Sequence, residues 1–180
     1  MTATSKRIAP APSFATGRKL RRGRRTGLEP RVVPDVFRAD RPAILAFLND
    51  ALAGELLCVL RYRRHHFMAR RLAQGRIAEE FLVHADEELA HADLLAERIV
   101  QLGGEPDFAP STLCGRSPVA APVNGIDEMV AENLTAAHAA IDRYRDQIQK
   151  LGDTDRITQR LLEGILAVQE AHAEELAELL

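Results

Sequence analysis

Apolar residues recur at three- and four-residue steps through four long runs of this chain, the pattern of amphipathic helices packed in a bundle. The first run begins near Asp40, placed as a cap, with Pro42 tolerated in the first turn. Its line is Ile44, Leu45, Leu48, Leu52, Glu55, Leu56, Val59 and Tyr62, and it stops near Gln74 and Gly75. The second run spans residues 76–102; Gly103 and Gly104 end it, and Pro106 forbids continuation. The third starts near Asn124, with Asp127 placed to complete a capping box, and follows Val130, Leu134, Ala137, Ile141, Tyr144 and Ile148. Lys150, Leu151 and Gly152 close it. The fourth starts at Asp153 or Asp155 and points Ile157, Leu161, Leu162, Ile165, Gln169, His172 and Leu176 inward.

Between the second and third runs, residues 103–124 carry Pro106, Pro110, Pro118 and Pro122 and show no period. A helical hairpin needs only about 2–8 linking residues. This longer link predicts a crossover along the bundle, leaving the second and third helices parallel. The fold class is therefore all-α: a four-helix bundle with a long crossover.

Composition adds little to that picture, but charge divides the chain. Aromatic residues are scarce (4%), Trp is absent, and no apolar run comes near the roughly 18 residues of a membrane span. Cys58 and Cys114 form neither a disulfide framework nor a zinc pattern, and fit a reducing, cytoplasmic compartment. No apolar leader precedes the arginines, so no export signal is expected. Residues 1–34 hold nine Lys or Arg against Glu29, giving +8 and leaving −10 for the rest, although the whole chain is −2. Residues 1–38 read as a disordered basic tail and 39–180 as the folded domain. In the tail, Arg18, Lys19, Arg21, Arg22, Arg24 and Arg25 are candidates for contacting nucleic-acid phosphates without reading sequence. A solvated arm lying on the acidic body, an organelle transit segment and an extension from a misplaced start codon are the competing readings.

The chemistry lies on the inward lines. Glu88 and His91 are one helical turn apart, and seven-residue steps place Glu88 in line with Phe81 and Leu95. The same arithmetic puts Glu55 between Leu48 and Tyr62. Two carboxylates aimed at a core need compensation, and a metal is a natural one. An incidental surface pair is the alternative for a lone Glu-x-x-His. A repeat raises the odds: Glu55 precedes Glu88 and His91 as Ala137 precedes Gln169 and His172, at nearly the same spacing. His65 and His66, being adjacent, diverge on the helix and read as surface residues rather than joint ligands.

Residues from about 43 to 180 resemble bacterioferritins and related bacterial ferritin-like proteins. The matching stretches are Gly54-Glu55-Leu56, Tyr62, Glu88-Leu89-Ala90-His91-Ala92-Asp93, residues 131–144 and residues 161–180. The resemblance implies a ferritin-like bundle with a buried di-iron site that oxidises Fe(II) with oxygen or peroxide and stores iron in a hollow shell. By motif position it carries Glu55, Glu88, His91 and His172 over as ligands to one or two non-haem iron ions.

The departures shape the expectation. The third- and fourth-helix glutamates of the pattern fall on Ala137 and Gln169, so the site is expected to be degraded, with Fe(II) oxidation slow or absent. The haem-binding Met of bacterioferritins is Leu89 here, so no haem is expected. The chain stops eight residues after His172, so no fifth helix is expected and the 24-subunit shell is in question. His138 or Glu170 could repair the site only if a π-bulge turned one inward; Cys58, one turn from Glu55, reads as a small hydrophobe or a neighbour of the metal. The partners implied are further copies of this chain or an intact paralogue, with non-specific DNA as a partner of the tail and no membrane. The alternative function is a catalytically silent ferritin-like or Dps-like subunit acting through co-assembly or DNA binding.

Overall fold

A computed structural model of the protein describes residues 41–116 and 123–180, with side chains at 41–113 and 123–180. The basic tail, including Arg18, Lys19, Arg21, Arg22, Arg24 and Arg25, lies outside the described residues, as does the Asp40 cap. The described residues contain helices and no strand: α1 Arg41–Arg71, α2 Gly75–Gln101, α3 Pro110–Arg116, α4 Ile126–Leu151 and α5 Arg156–Ala177.

Helix ends follow local chemistry. At the α1–α2 turn, Gln74 N–H donates to Ala69 O (3.0 Å), and Ala73 takes the left-handed conformation (φ 59°). Past α2, Gly103 (φ 72°) and Gly104 close a similar turn, with Gly104 N–H reaching Ile99 O at 2.9 Å. Gly104 also sits against α1, where an added Cβ would lie 2.6 Å from a Leu45 methyl. The start of α4 differs from expectation by one residue. Glu128, not Asp127, accepts from Gly125 N–H at 3.3 Å, and Gly125 has no side chain to complete a reciprocal box.

Of the two candidate starts for α5, Asp155 is the cap, accepting from Thr158 N–H at 3.0 Å. Asp155 is also gripped by Arg98 of α2, whose Nη2 lies 2.9 and 2.8 Å from its two oxygens. That pair is buried and ties the end of α2 to the start of α5. Ile157, expected inward, is 66% exposed; in the first turn of α5 the inward position belongs to Thr158.

The described part of the link after α2 carries a short helix that its sequence does not suggest. Asp107 Oδ1 accepts from Ala109 N–H (3.0 Å) and from Thr112 Oγ1 (2.9 Å), nucleating α3 where no helix was expected. Asn49 of α1 accepts from Asp107 N–H at 2.8 Å, so the link starts back along α1.

α1 and α2 form one antiparallel hairpin, α4 and α5 another. Phe47 meets Tyr144 near one end of α1 and Arg64 bonds Val123 O near the other, so α1 and α4 are antiparallel. Arg98 meets Thr158 while His84 meets Glu175, so α2 and α5 are antiparallel too. α2 and α4 therefore run parallel, as the crossover required.

Apolar packing divides into two main clusters. Leu48, Leu52, Leu95, Ile99, Leu162 and Ile165 fill one end of the bundle; Tyr62, Phe81, Ala85, Met129, Val130 and Leu176 fill the other. α1 is, by length and composition, apolar enough to cross a membrane, with a stretch of mean hydropathy 1.8. This corrects the expectation that no run comes near that length; its Ile44, Leu48, Leu52 and Tyr62 are spent on the core. His65 and His66 also depart from expectation. Both are buried: His65 accepts from Asn133 Nδ2 of α4 at 3.0 Å, and His66 Nδ1–H donates to Ala78 O of α2 at 2.7 Å. Two adjacent residues on a central helix can face two different neighbours, and these do.

Candidate metal centre

Between the two apolar clusters lies a polar layer fed by all four long helices. α1 contributes Glu55, α2 contributes Glu88 and His91, α4 contributes Ala137 and Tyr144, and α5 contributes Gln169 and His172, all buried. Each faces inward because it falls on the heptad line of its helix.

Glu55, Glu88 and His91 converge, their ligand atoms all within 4.8 Å of one another. His91 Nδ1 lies 3.2 Å from Glu88 Oε2 and 3.5 Å from Glu55 Oε2. On the far side, His172 Nδ1 lies 3.4 Å from Glu88 Oε1. That nitrogen is buried and makes no hydrogen bond. Its other nitrogen, Nε2, donates to Glu87 Oε2 at 2.7 Å. An imidazole fixed by a carboxylate behind it, with its free nitrogen turned to a second carboxylate, is oriented as metal-ligating histidines are. Gln169 Nε2 donates to Glu88 Oε2 at 2.8 Å and reaches Glu55 Oε2 at 3.4 Å. Tyr144 OH donates to Glu55 Oε1.

Two carboxyl groups this close in a dry layer cannot both ionise freely. Burial first, and then the charge of Glu88, push Glu55 up to about 8. Burial acts on Glu88 in the same direction, but its close contacts with Glu55, His172 and His91 outweigh it and hold Glu88 well below the usual carboxylate range. Burial alone would lower His91; Glu55 and Glu88 overcome it and raise His91 to about 9. His172 is likewise raised, against burial, by Glu88 and Glu87. In the metal-free trio Glu55 thus tends to hold its proton, Glu88 to be ionised and His91 to be cationic, a combination with no net charge. A divalent cation that expelled both protons would leave the trio and its ion equally neutral.

The donor set fits a hard-to-borderline cation. Glu55, Glu88 and His91 would hold one ion. Glu88, His172 and the neutral Gln169 would offer a poorer second position. The two residues that a π-bulge could have turned inward stay outside the layer: α4 and α5 are regular α-helices, His138 is exposed on the outer face, and Glu170 pairs with Arg145 at 2.6 Å. Cys58 is no better, since burial pushes its thiol up to about 12 and its sulfur accepts from Arg61 Nη2 at 3.0 Å.

Three residues in or beside this layer escaped sequence reasoning. Tyr144 was placed inward but given no role, although a buried phenol needs a partner. Glu87 left no periodic signal. His84, seven residues before His91, is fully buried and stacks on His172 with ring centroids 4.0 Å apart. Leu89 is 41% exposed on the outer surface of α2.

These features define a ferritin-like helical bundle with a carboxylate–histidine layer across its middle. The ferritin-like domain profile matches residues 45–180, and the chain belongs to that family. Bacterioferritin of Desulfovibrio desulfuricans is 32% identical over 136 residues, covering 75% of this chain and 73% of that one. A nutrient stress-induced DNA-binding protein of Synechococcus is also 32% identical, over 139 residues, covering 74% and 78%. Among solved structures, the dodecameric thioferritin of Bacteroides fragilis superposes with a TM-score of 0.73 at 26% identity, covering 77% of this chain and 84% of that one.

Proposed function

We propose that this protein binds iron in the manner of bacterioferritins but holds one ion per chain firmly and a second only weakly, so that Fe(II) oxidation is slow or absent. The observation that carries the reading is Gln169, whose amide donates to Glu88 where the family pattern has a carboxylate. Ala137 removes another, leaving two carboxylates, enough charge for one divalent ion. Iron would be both cargo and reactant, supplying the electrons that reduce oxygen or peroxide. The chain's own part is to bind through Glu55, Glu88 and His91, to hold Glu55 with Tyr144, and to fix His172 with Glu87. Anaerobic Fe(II) loading of the metal-free protein tests this. One equivalent per chain supports it; two equivalents with rapid oxidation on adding air would overturn it.

Assembly into a homo-oligomer, or with an intact paralogue, belongs to the same reading. Leu60 and Phe67, seven residues apart on α1, are 60% and 63% exposed and would be covered in an assembly. A cytoplasmic location goes with it. The second reading, a silent subunit that binds DNA through its basic tail, draws on the Synechococcus DNA-binding relative. A salt-sensitive mobility shift of duplex DNA, lost on deleting residues 1–34, would favour it.

A further inference from the structure

A second constellation of metal-ligating groups lies outside the central layer. Glu80 and His84 of α2 and Glu175 of α5 bring one ligand atom each within 4.8 Å of the others. His84 Nε2 is 2.8 Å from Glu175 Oε2 and 3.8 Å from Glu80 Oε1. Tetrahedral coordination at metal–ligand distances near 2.1 Å sets ligand atoms about 3.4 Å apart, between these two separations. A small shift of the two carboxylates would therefore close around an ion.

The environment of each group agrees. His84 is fully buried and cannot swing away: its ring is stacked on His172 and set edge-on to Tyr62, 5.2 Å between centroids. Its Nε2 faces the two carboxylates, and its Nδ1 is buried with no hydrogen-bond partner. Glu175 and Glu80 have side chains 51% and 36% exposed, so the position opens to solvent. Glu87 adds a third carboxylate nearby, on His172. Among the described residues, the only ion-pair partners of these three glutamates are His84 and His172. Local negative charge thus meets a rigid imidazole at a solvent-facing position.

We propose that Glu80, His84 and Glu175 form a peripheral site for a divalent cation of borderline hardness, such as Fe(II), Co(II) or Zn(II). It is separate from the central layer and adjoins it through the His84–His172 stack. An ion on Nε2 displaces the proton to the partnerless Nδ1, which sets this site below the central one in affinity. The site does not depend on how many ions the centre holds.

Co(II) binding to the full chain, followed by equilibrium dialysis and visible absorption, tests the proposal. Wild type should bind one weaker equivalent more than the Glu80→Gln/Glu175→Gln variant. A Glu55→Gln/Glu88→Gln variant should keep that weaker equivalent and lose the tight one. The glutamine substitutions at Glu80 and Glu175 lie on partly exposed side chains, and unchanged circular dichroism would verify the fold. Zn(II)-soaked crystals should give an anomalous peak beside His84 Nε2. Equal stoichiometry and affinities within twofold in wild type and the Glu80→Gln/Glu175→Gln variant would overturn the proposal. So would joint loss of both equivalents, or no peak at His84.

Discussion

The Gln169 side-chain nitrogen lies 2.8 Å from Glu88 Oε2 and donates to it across the seam between the two hairpins. In the metal-free protein this neutral amide does part of what a cation would do, satisfying a buried carboxylate without adding charge. Replacing it by a carboxylate should therefore split the response. In Gln169→Glu the metal-free protein should lose about 1–3 kcal/mol, because a donor to Glu88 is removed in a dry site. Metal-loaded protein should gain, with Mn(II) affinity rising about tenfold or more, equivalent to roughly 1.4 kcal/mol per decade. Thermal melts with and without Mn(II) check both signs. Adding Ala137→Glu should raise the aerobic Fe(II) oxidation rate further, and no increase in a folded double variant would count against the degraded-site reading.

The central protons predict how metal-free stability varies with pH. Glu55, raised to about 8, takes up a proton on folding, so stability falls as pH climbs from its unfolded value near 4.5 through 8. His91, raised to about 9, contributes stability that is complete below about 6.5 and is lost as pH rises through 9. Both act in one direction, so the metal-free protein should melt lower at pH 9 than at pH 6. Metal binding expels the same two protons, so Zn(II) affinity should increase over that interval. Calorimetry in buffers of different ionisation enthalpy would count the protons released.

The Arg98–Asp155 clip predicts a large loss far from the centre. Asp155→Ala removes the cap of α5 and leaves the Arg98 guanidinium buried without its counter-charge. Breaking a buried pair in this way costs about 3–5 kcal/mol. Urea denaturation should show that loss. Burial opposes ionisation of Asp155, but Thr158 and Arg98 outweigh it and hold its carboxyl below the usual range. Its contribution should be present above about pH 4 and fade as pH falls below it.

Ala73 predicts the opposite sign. Its left-handed backbone at the α1–α2 turn costs an L-residue about 1–2 kcal/mol that glycine avoids. Part of that gain is offset by the greater freedom of glycine in the unfolded chain. Ala73→Gly should raise the midpoint by about 2–4 °C, as expected for roughly 1 kcal/mol in a domain of this size.

Much of the architecture was legible because it rests on period and punctuation. Seven-residue steps placed Glu55, Glu88, Gln169 and His172 on inward lines, and all four are buried. Gly103-Gly104 and Asp155 marked their helix ends for identifiable reasons, a left-handed turn and a side-chain cap. What was not legible depends on neighbours distant in sequence. His65 and His66 look polar and exposed until Asn133 and the Ala78 carbonyl are brought beside them. α3 is held by one aspartate and its contact with α1, too short to show a period. Glu87 gains its place on His172 only when α5 lies against α2.

The two hairpins meet across a seam whose middle is a buried polar layer, with the two apolar clusters on either side of it. Tyr144 to Glu55, Gln169 to Glu88 and His172 to Glu87 are three rungs of that layer. The α1–α2 hairpin supplies every carboxylate of those rungs, and the α4–α5 hairpin supplies every donor. Sliding one hairpin past the other by a turn would strand charge against hydrocarbon at several rungs at once. The polar layer is thus a register mark for the assembly of two halves, and this alignment function asks nothing of iron.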